Sequence, residues 1–162
     1  MGKISKSRQR VFIVEDHPVF REGLVQVLGT EPDLAVCGEA SDAEEALRAI
    51  PGRKPDLVLV DITLPGKSGL ALIKELRADD RRIRILAVSM HEEAVFAGRV
   101  LRAGGDGYIM KQEGPEEILR AIHDVLAGHI YVSEQVVAAM PKAVARRSAN
   151  AQPRPLARLA HP

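Results

Sequence analysis

Three short apolar runs in this chain end in charged residues: VFIV runs into Glu15 and Asp16, DLVLV into Asp61, and GYIM into Lys111. One strand ending in an acid carries little meaning, because aspartate there is often a turn former or a helix cap. Three acids and an amine brought to one edge form a constellation. The carboxylates would repel one another unless one is protonated or a divalent cation lies among them. Oxygen-only ligands suit magnesium, which keeps several waters and holds phosphate oxygens. Lys111 then supplies a second positive charge, placed to balance a phosphoryl group on or near Asp61. An aspartate in that setting can attack phosphorus and form an aspartyl phosphate. The plain alternative is that Lys111 neutralises the acids as a structural ion pair.

Such a convergence needs parallel strands, and the periodicity supplies them. Val11–Val14 reads as a buried strand, followed by a helix with apolar residues at Phe20, Leu24, Val27 and Leu28; Pro18 at its first position makes His17 the expected N-cap. Leu34–Cys37 reads as a second strand. Ser41 with Glu44 forms a capping-box signature for the next helix, which Pro51 and Gly52 are expected to close. Leu57–Val60 is continuously apolar, as a central parallel strand covered on both faces should be. Leu70, Leu72, Ile73 and Leu76 mark the third helix, Ile83–Val88 the fourth strand, Ala94–Ala103 the fourth helix and Tyr108–Met110 the fifth strand. Ile118, Leu119, Ile122, Val125 and Leu126 stripe a fifth helix. Strict alternation implies right-handed crossovers with helices on both faces, and ligands outside the carboxyl ends of the strands. Asp16, Asp61 and Lys111 are placed there.

The bulk composition fits this picture. The chain has 162 residues, enough for one ordinary domain and a tail, with 28% charged and 46% hydrophobic residues. No apolar stretch approaches the roughly 20 residues a membrane span needs, and the basic N-terminus lacks a signal peptide's cleavage site. A soluble, cytoplasmic protein is expected, with no membrane partner. Cys37, the single cysteine, lies in the apolar run LAVCG and reads as a small buried hydrophobe. The net charge of +1 conceals an uneven distribution: residues 1–10 hold four basic residues and residues 141–162 five, with no acid in either, leaving 14 basic against 22 acidic residues between. An acidic domain is a poor surface for nucleic-acid phosphates. The expected organisation is a basic extension over 1–9, a domain over 10–130, a short extra helix over 131–140 and a basic Ala/Arg/Pro-rich linker or tail over 141–162.

The strings VFIVEDHPVFREGL, PDLVLVDITLPGKSGL, ILAVSMHEE and AGGDGYIMK followed by EEILRAI occur in the order of, and closely resemble, the receiver domain of a two-component response regulator. His17 and Pro18 after the acidic pair resemble the NarL/FixJ-like subfamily, whose receivers precede a LuxR-type helix-turn-helix domain. The resemblance implies a flavodoxin-like (βα)5 doubly wound α/β fold with strand order 2-1-3-4-5. It implies Asp61 as phosphoacceptor from a phosphohistidine on a sensor histidine kinase. Glu15, Asp16, Asp61 and the backbone carbonyl of Thr63 would hold Mg2+, Glu15 through water. Ser89 would bond the phosphoryl oxygen, Lys111 would pair with the phosphoryl group, and Tyr108 would be the aromatic that turns inward when the hydroxyl moves.

Several residues carry a plainer reading. Ser89 with Glu92 fits a capping box for the fourth helix, Tyr108 fits an ordinary edge-strand aromatic, and His17 fits a helix cap better than a phosphorelay histidine. Glu15 stands where the family more often has aspartate, Leu64 where methionine is usual, and Met90 and His91 follow Ser89 where they could affect phosphodonor access and hydrolysis. Gly66-Lys67-Ser68 resembles part of a Walker loop, but Asp61 stands where its first glycine belongs, which rejects it. A haloacid-dehalogenase-like phosphatase would need a second aspartate two residues on, where this chain has Thr63. An interaction module that is never phosphorylated is disfavoured by the full set of charged positions. The expectation is therefore a signalling domain, with at most slow autodephosphorylation as enzyme activity. It would switch its helix 4/strand 5 surface, dimerise on phosphorylation, and act on DNA only through an effector domain absent from these residues, a stand-alone receiver being the alternative.

Overall fold

The computed structural model describes residues 7–133 together with Val136 and Ala138. Strands β1 (Gln9–Val14), β2 (Leu34–Ala40), β3 (Leu57–Asp61), β4 (Arg84–Ser89) and β5 (Gly107–Met110) alternate with helices α1 (Pro18–Gly29), α2 (Ala43–Arg53), α3 (Gly69–Asp79), α4 (Glu93–Ala103) and α5 (Pro115–Leu126). Every strand pairing is parallel, and the order across the sheet is β2-β1-β3-β4-β5. The expected doubly wound sheet is what forms.

Alternation of side chains along the strands divides the core in two. Phe12, Val58, Val60 and Ile85 point to the face covered by α2, α3 and α4, where they meet Ala46, Leu72 and Val100. Val11, Ile13, Leu57 and Leu59 point to the opposite face, against Leu24 and Leu28 of α1 and Ile118 and Ile122 of α5. All five residues of β3 are buried, so the continuous run DLVLV is the signature of a strand with no wet face. Cys37 lies in the β1–β2 irregularity, where pairing steps from Val11 with Val36 to Phe12 with Gly38. Its thiol is buried and free, and burial pushes its pKa up.

Helix ends depart from the sequence reading in instructive ways. The box at α2 is displaced by one residue: Asp42 is the N-cap and accepts from Glu45 N–H at 2.8 Å, while the Glu45 carboxylate accepts from the Ser41 amide at 2.9 Å. Pro51 and Gly52 do not close α2. Proline's fixed φ is compatible with a helix, so the turn continues to Arg53 and ends where Lys54 goes left-handed at φ 50°. His17 does occupy the α1 N-cap, but its side chain makes no capping bond. Ser89 does not cap α4; the N-cap is Glu92, and the Ser89 hydroxyl instead accepts the His91 N–H at 3.0 Å.

The largest difference follows α5. Instead of starting a helix at 131, Tyr131 forms a parallel bridge with Gly107 on the outer edge of β5, and Ile130, Tyr131 and Val132 are buried. Val136 and Ala138 are helical. Ser133 is not helical, and residues 134, 135, 137, 139 and 140 lie outside the described residues, as do the tail over 141–162 and residues 1–6.

Candidate functional site

The carboxyl ends of β1, β3 and β5 carry Glu15, Asp61 and Lys111 to one place. Lys111 Nζ lies 3.1 Å from the Glu15 carboxylate and 3.3 Å from the Asp61 carboxylate. Glu15 is 1% and Asp61 4% exposed, so the ammonium is shared between two acids that water barely reaches. Beneath it lies the Phe20 ring of α1, whose centroid is 4.5 Å from Nζ. Burial, and then the charge of Asp61, push the Glu15 pKa up, against the His17 N–H and the Lys111 ammonium, which favour the carboxylate. Glu15 is held from both sides. His17 N–H donates to its carboxylate at 3.1 Å, and the Arg21 guanidinium donates to its backbone carbonyl at 2.6 Å.

Backbone approach fixes Asp61. At Gly69, the first residue of α3, an added Cβ would lie 2.2 Å from the Asp61 carbonyl oxygen and 2.7 Å from Ile62 Cα. Only glycine lets α3 begin against the end of β3. The Thr63 N–H then turns back onto Asp61 Oδ1 at 3.1 Å.

A second layer lies at the end of β4. Ser89 is fully buried and Tyr108 is 1% exposed. The Tyr108 hydroxyl donates to the His91 carbonyl at 2.7 Å, so the ring is turned inward. Burial pushes its phenol up, an effect the Ser89 side chain opposes. The His91 ring reaches Thr63 Oγ1 at 3.2 Å and packs on Phe96 at 4.9 Å between centroids. His91 is thus the piece that joins Ser89, Tyr108 and the loop carrying Thr63.

The expected residues fall into three groups. Glu15, Asp61 and Lys111 are in direct contact, Ser89 and Tyr108 meet through His91, and Asp16 stands beside the first group. Donor atoms of Glu15, Asp16 and His17 lie within 4.8 Å of one another. Three carboxylates against one ammonium leave an excess of negative charge; at Glu15 the Asp61 charge adds to burial, the larger cause, in raising the pKa. The Glu15 and Asp16 carboxylates fit a hard cation, while Asp61, held on Lys111, is not within that group of donor atoms. Sequence reasoning did not single out Phe20 as the seat of Lys111, Arg21 as the brace of Glu15, or Gly69 as the contact behind Asp61. Phe20 was legible only as a core position of α1.

Known proteins share this chain's sequence pattern and fold. The family model described as the response regulator receiver domain matches residues 11–123. The nitrate/nitrite response regulator protein NarL of Escherichia coli K12 is 38% identical over 126 residues, covering 76% of this chain and 57% of that protein. The DNA-binding transcriptional activator DevR/DosR of Mycobacterium tuberculosis is 38% identical over 133 residues, covering 81% and 60%. The chain thus spans three fifths or less of the length of these two relatives. Among solved structures, a LuxR-family two-component response regulator from Aurantimonas sp. SI85-9A1 superposes with a TM-score of 0.75 at 36% identity, over 89% of this chain and 97% of that one. The signal receiver domain of the putative response regulator NarL from M. tuberculosis gives 0.73 at 33% identity, over 76% and 100%. Matched by the family model over most of its length and sharing the strand order and fold of these structures, this chain belongs to the response regulator receiver domain family.

Proposed function

We propose that Asp61 is the phosphoacceptor of a two-component switch, taking its phosphoryl group from a phosphohistidine on a sensor histidine kinase. The observation that carries this reading is the Lys111 ammonium held against buried Asp61 and Glu15 at the open end of the sheet. In the transfer, an Asp61 carboxylate oxygen attacks phosphorus as the P–N bond to the kinase imidazole breaks. Lys111 moves its charge from the carboxylate to the phosphoryl oxygens. Glu15, Asp16, Asp61 and the carbonyl of Thr63 would hold Mg2+, which when bound offsets negative charge on the transferring group. Ser89 leaves the His91 amide to bond a phosphoryl oxygen, and Tyr108 follows the rearranged β4–α4 loop. Function is a population shift of the α4–β5 surface.

By likeness to the relatives, the output is transcriptional, through an effector domain that is not among these residues and that alone contacts DNA. Dimerisation on phosphorylation, a cytoplasmic location and at most slow autodephosphorylation belong to the same proposal. Among the described residues no helix is long and apolar enough to cross a membrane. The test is incubation with a small phosphodonor and Mg2+. An acid-stable, base-labile adduct lost in Asp61→Asn is expected. Its absence would point to an unphosphorylated module, and continuous turnover of diverse phosphate esters to a phosphatase.

A further inference from the structure

β5 is the last strand of the sheet, and its outer edge would present unpaired backbone groups. The chain itself covers them. Tyr131 N–H donates to the Asp106 carbonyl at 3.0 Å, and Tyr108 N–H donates to the Tyr131 carbonyl at 2.9 Å. Side chains alternate as in a strand: Ile130 and Val132 enter the core with Tyr108 and Val100, while Tyr131 enters the opposite core with Ile118 and Ile122, its hydroxyl on Glu117. Gly107 permits the approach, since a Cβ there would lie 2.9 Å from Tyr131 Cβ. One residue further, the Ser133 N–H is held by the Glu93 carboxylate at 2.9 Å.

Glu93 is the first residue of α4, two residues beyond His91. His91 in turn is fixed by Ser89 Oγ through its amide and by Tyr108 through its carbonyl. We propose that the outer edge of β5 is a docking surface for this chain's own Ile130–Ser133 segment, and that Glu93 is a latch making its occupancy depend on the state of Asp61. The inference rests on the phosphoacceptor reading above. When Ser89 turns to a phosphoryl oxygen, the His91 amide loses its acceptor, the start of α4 shifts, and Glu93 leaves Ser133. The segment that leads out of the domain is then released. Coupling is reciprocal, so the docked segment also opposes modification.

Hydrogen–deuterium exchange of the full chain tests this, followed on the peptide covering residues 129–136, with and without Mg2+ and beryllofluoride as the phosphoryl mimic. The expected result is an increase of about tenfold in exchange on adding the mimic, the scale of one hydrogen bond to a charged acceptor. Glu93→Ala should show the fast exchange without the mimic and bind the mimic about tenfold more tightly. Glu93→Gln, which keeps an acceptor oxygen, should stay near the unsubstituted protein. Unchanged exchange in a protein that does form the Asp61-dependent adduct overturns the latch and leaves the phosphoacceptor reading standing. A response to the mimic that Glu93→Ala does not reproduce overturns the role of Glu93. Failure to form any Asp61-dependent adduct overturns both readings together.

Discussion

Thr63 Oγ1 and His91 Nε2 lie 3.2 Å apart, which joins the loop leaving β3 to the loop leaving β4 beside Asp61. Since the Thr63 amide also bonds Asp61, this pair stands beside the proposed phosphoacceptor. Thr63→Ala and His91→Ala should each shorten the lifetime of the adduct, by roughly fivefold for one lost hydrogen bond. The double variant should be no faster than either single one, because both remove one interaction. Decay of the adduct after removal of the phosphodonor measures it, and multiplicative effects would show that the two side chains act separately.

Lys111 and Glu15 should have opposite effects on stability. Lys111→Ala leaves two buried carboxylates facing each other and should cost about 3 kcal/mol in metal-free protein. Glu15→Gln removes the repulsion with Asp61 and should leave metal-free stability equal or higher. Millimolar Mg2+ should raise the melting temperature of the unsubstituted protein more than that of Glu15→Gln. Denaturation with and without Mg2+ checks this, and an equal gain in both proteins would remove Glu15 from the cation site.

The raised Glu15 pKa gives a pH dependence of definite sign. Between the ordinary value of 4.5 and the raised folded value, the native state binds more protons than the unfolded state. Stability of the metal-free protein should therefore fall as pH rises through that window and rise as pH is lowered to about its bottom. Glu15→Gln should flatten this part of the profile, as should Mg2+, which favours the ionised form. Urea midpoints across the window decide it, and a Glu15→Gln profile identical to the unsubstituted one would exclude Glu15 as the titrating group.

Gly69→Ala should damage fold and site together. Its Cβ would lie 2.2 Å from the Asp61 carbonyl, a clash between backbones that no rotamer relieves. A loss of about 3 kcal/mol is expected from overpacking, together with slower adduct formation because Asp61 is displaced. Gly66→Ala, where no atom lies within 4 Å but φ is +73°, should cost about 1 kcal/mol. Comparable losses at the two positions would mean that α3 can slide away from β3.

The sheet and the contact of Glu15, Asp61 and Lys111 were legible in the sequence because both follow from strand ends: a continuous run such as LVLV sets the buried strand, and the residue after it must emerge at the edge. Caps were less legible. Ser41-Asp42 and Glu44-Glu45 offer two overlapping boxes, and only backbone geometry selects Asp42 with Glu45. Ser89 and Glu92 have capping spacing, yet Ser89 is drawn down by β4 into the core and meets His91 instead. Ile130-Tyr131-Val132 precedes a segment whose sequence reads as a short helix from Ser133, and nothing local says that these three residues pair with β5. The tertiary edge decided it, as did Gly107, which reads locally as punctuation.

The pairing of Tyr131 with Gly107 also carries the folding unit past the end of α5. A chain cut at the end of α5, after Leu126, would keep every helix and strand of the alternating pattern yet lay bare the edge of β5. Ala97, Val100 and Ile118 would lose their cover of Ile130, Tyr131 and Val132. Such a fragment should assemble through that edge and precipitate, while one carried to Ser133 or beyond should remain monodisperse before any phosphoryl group is added.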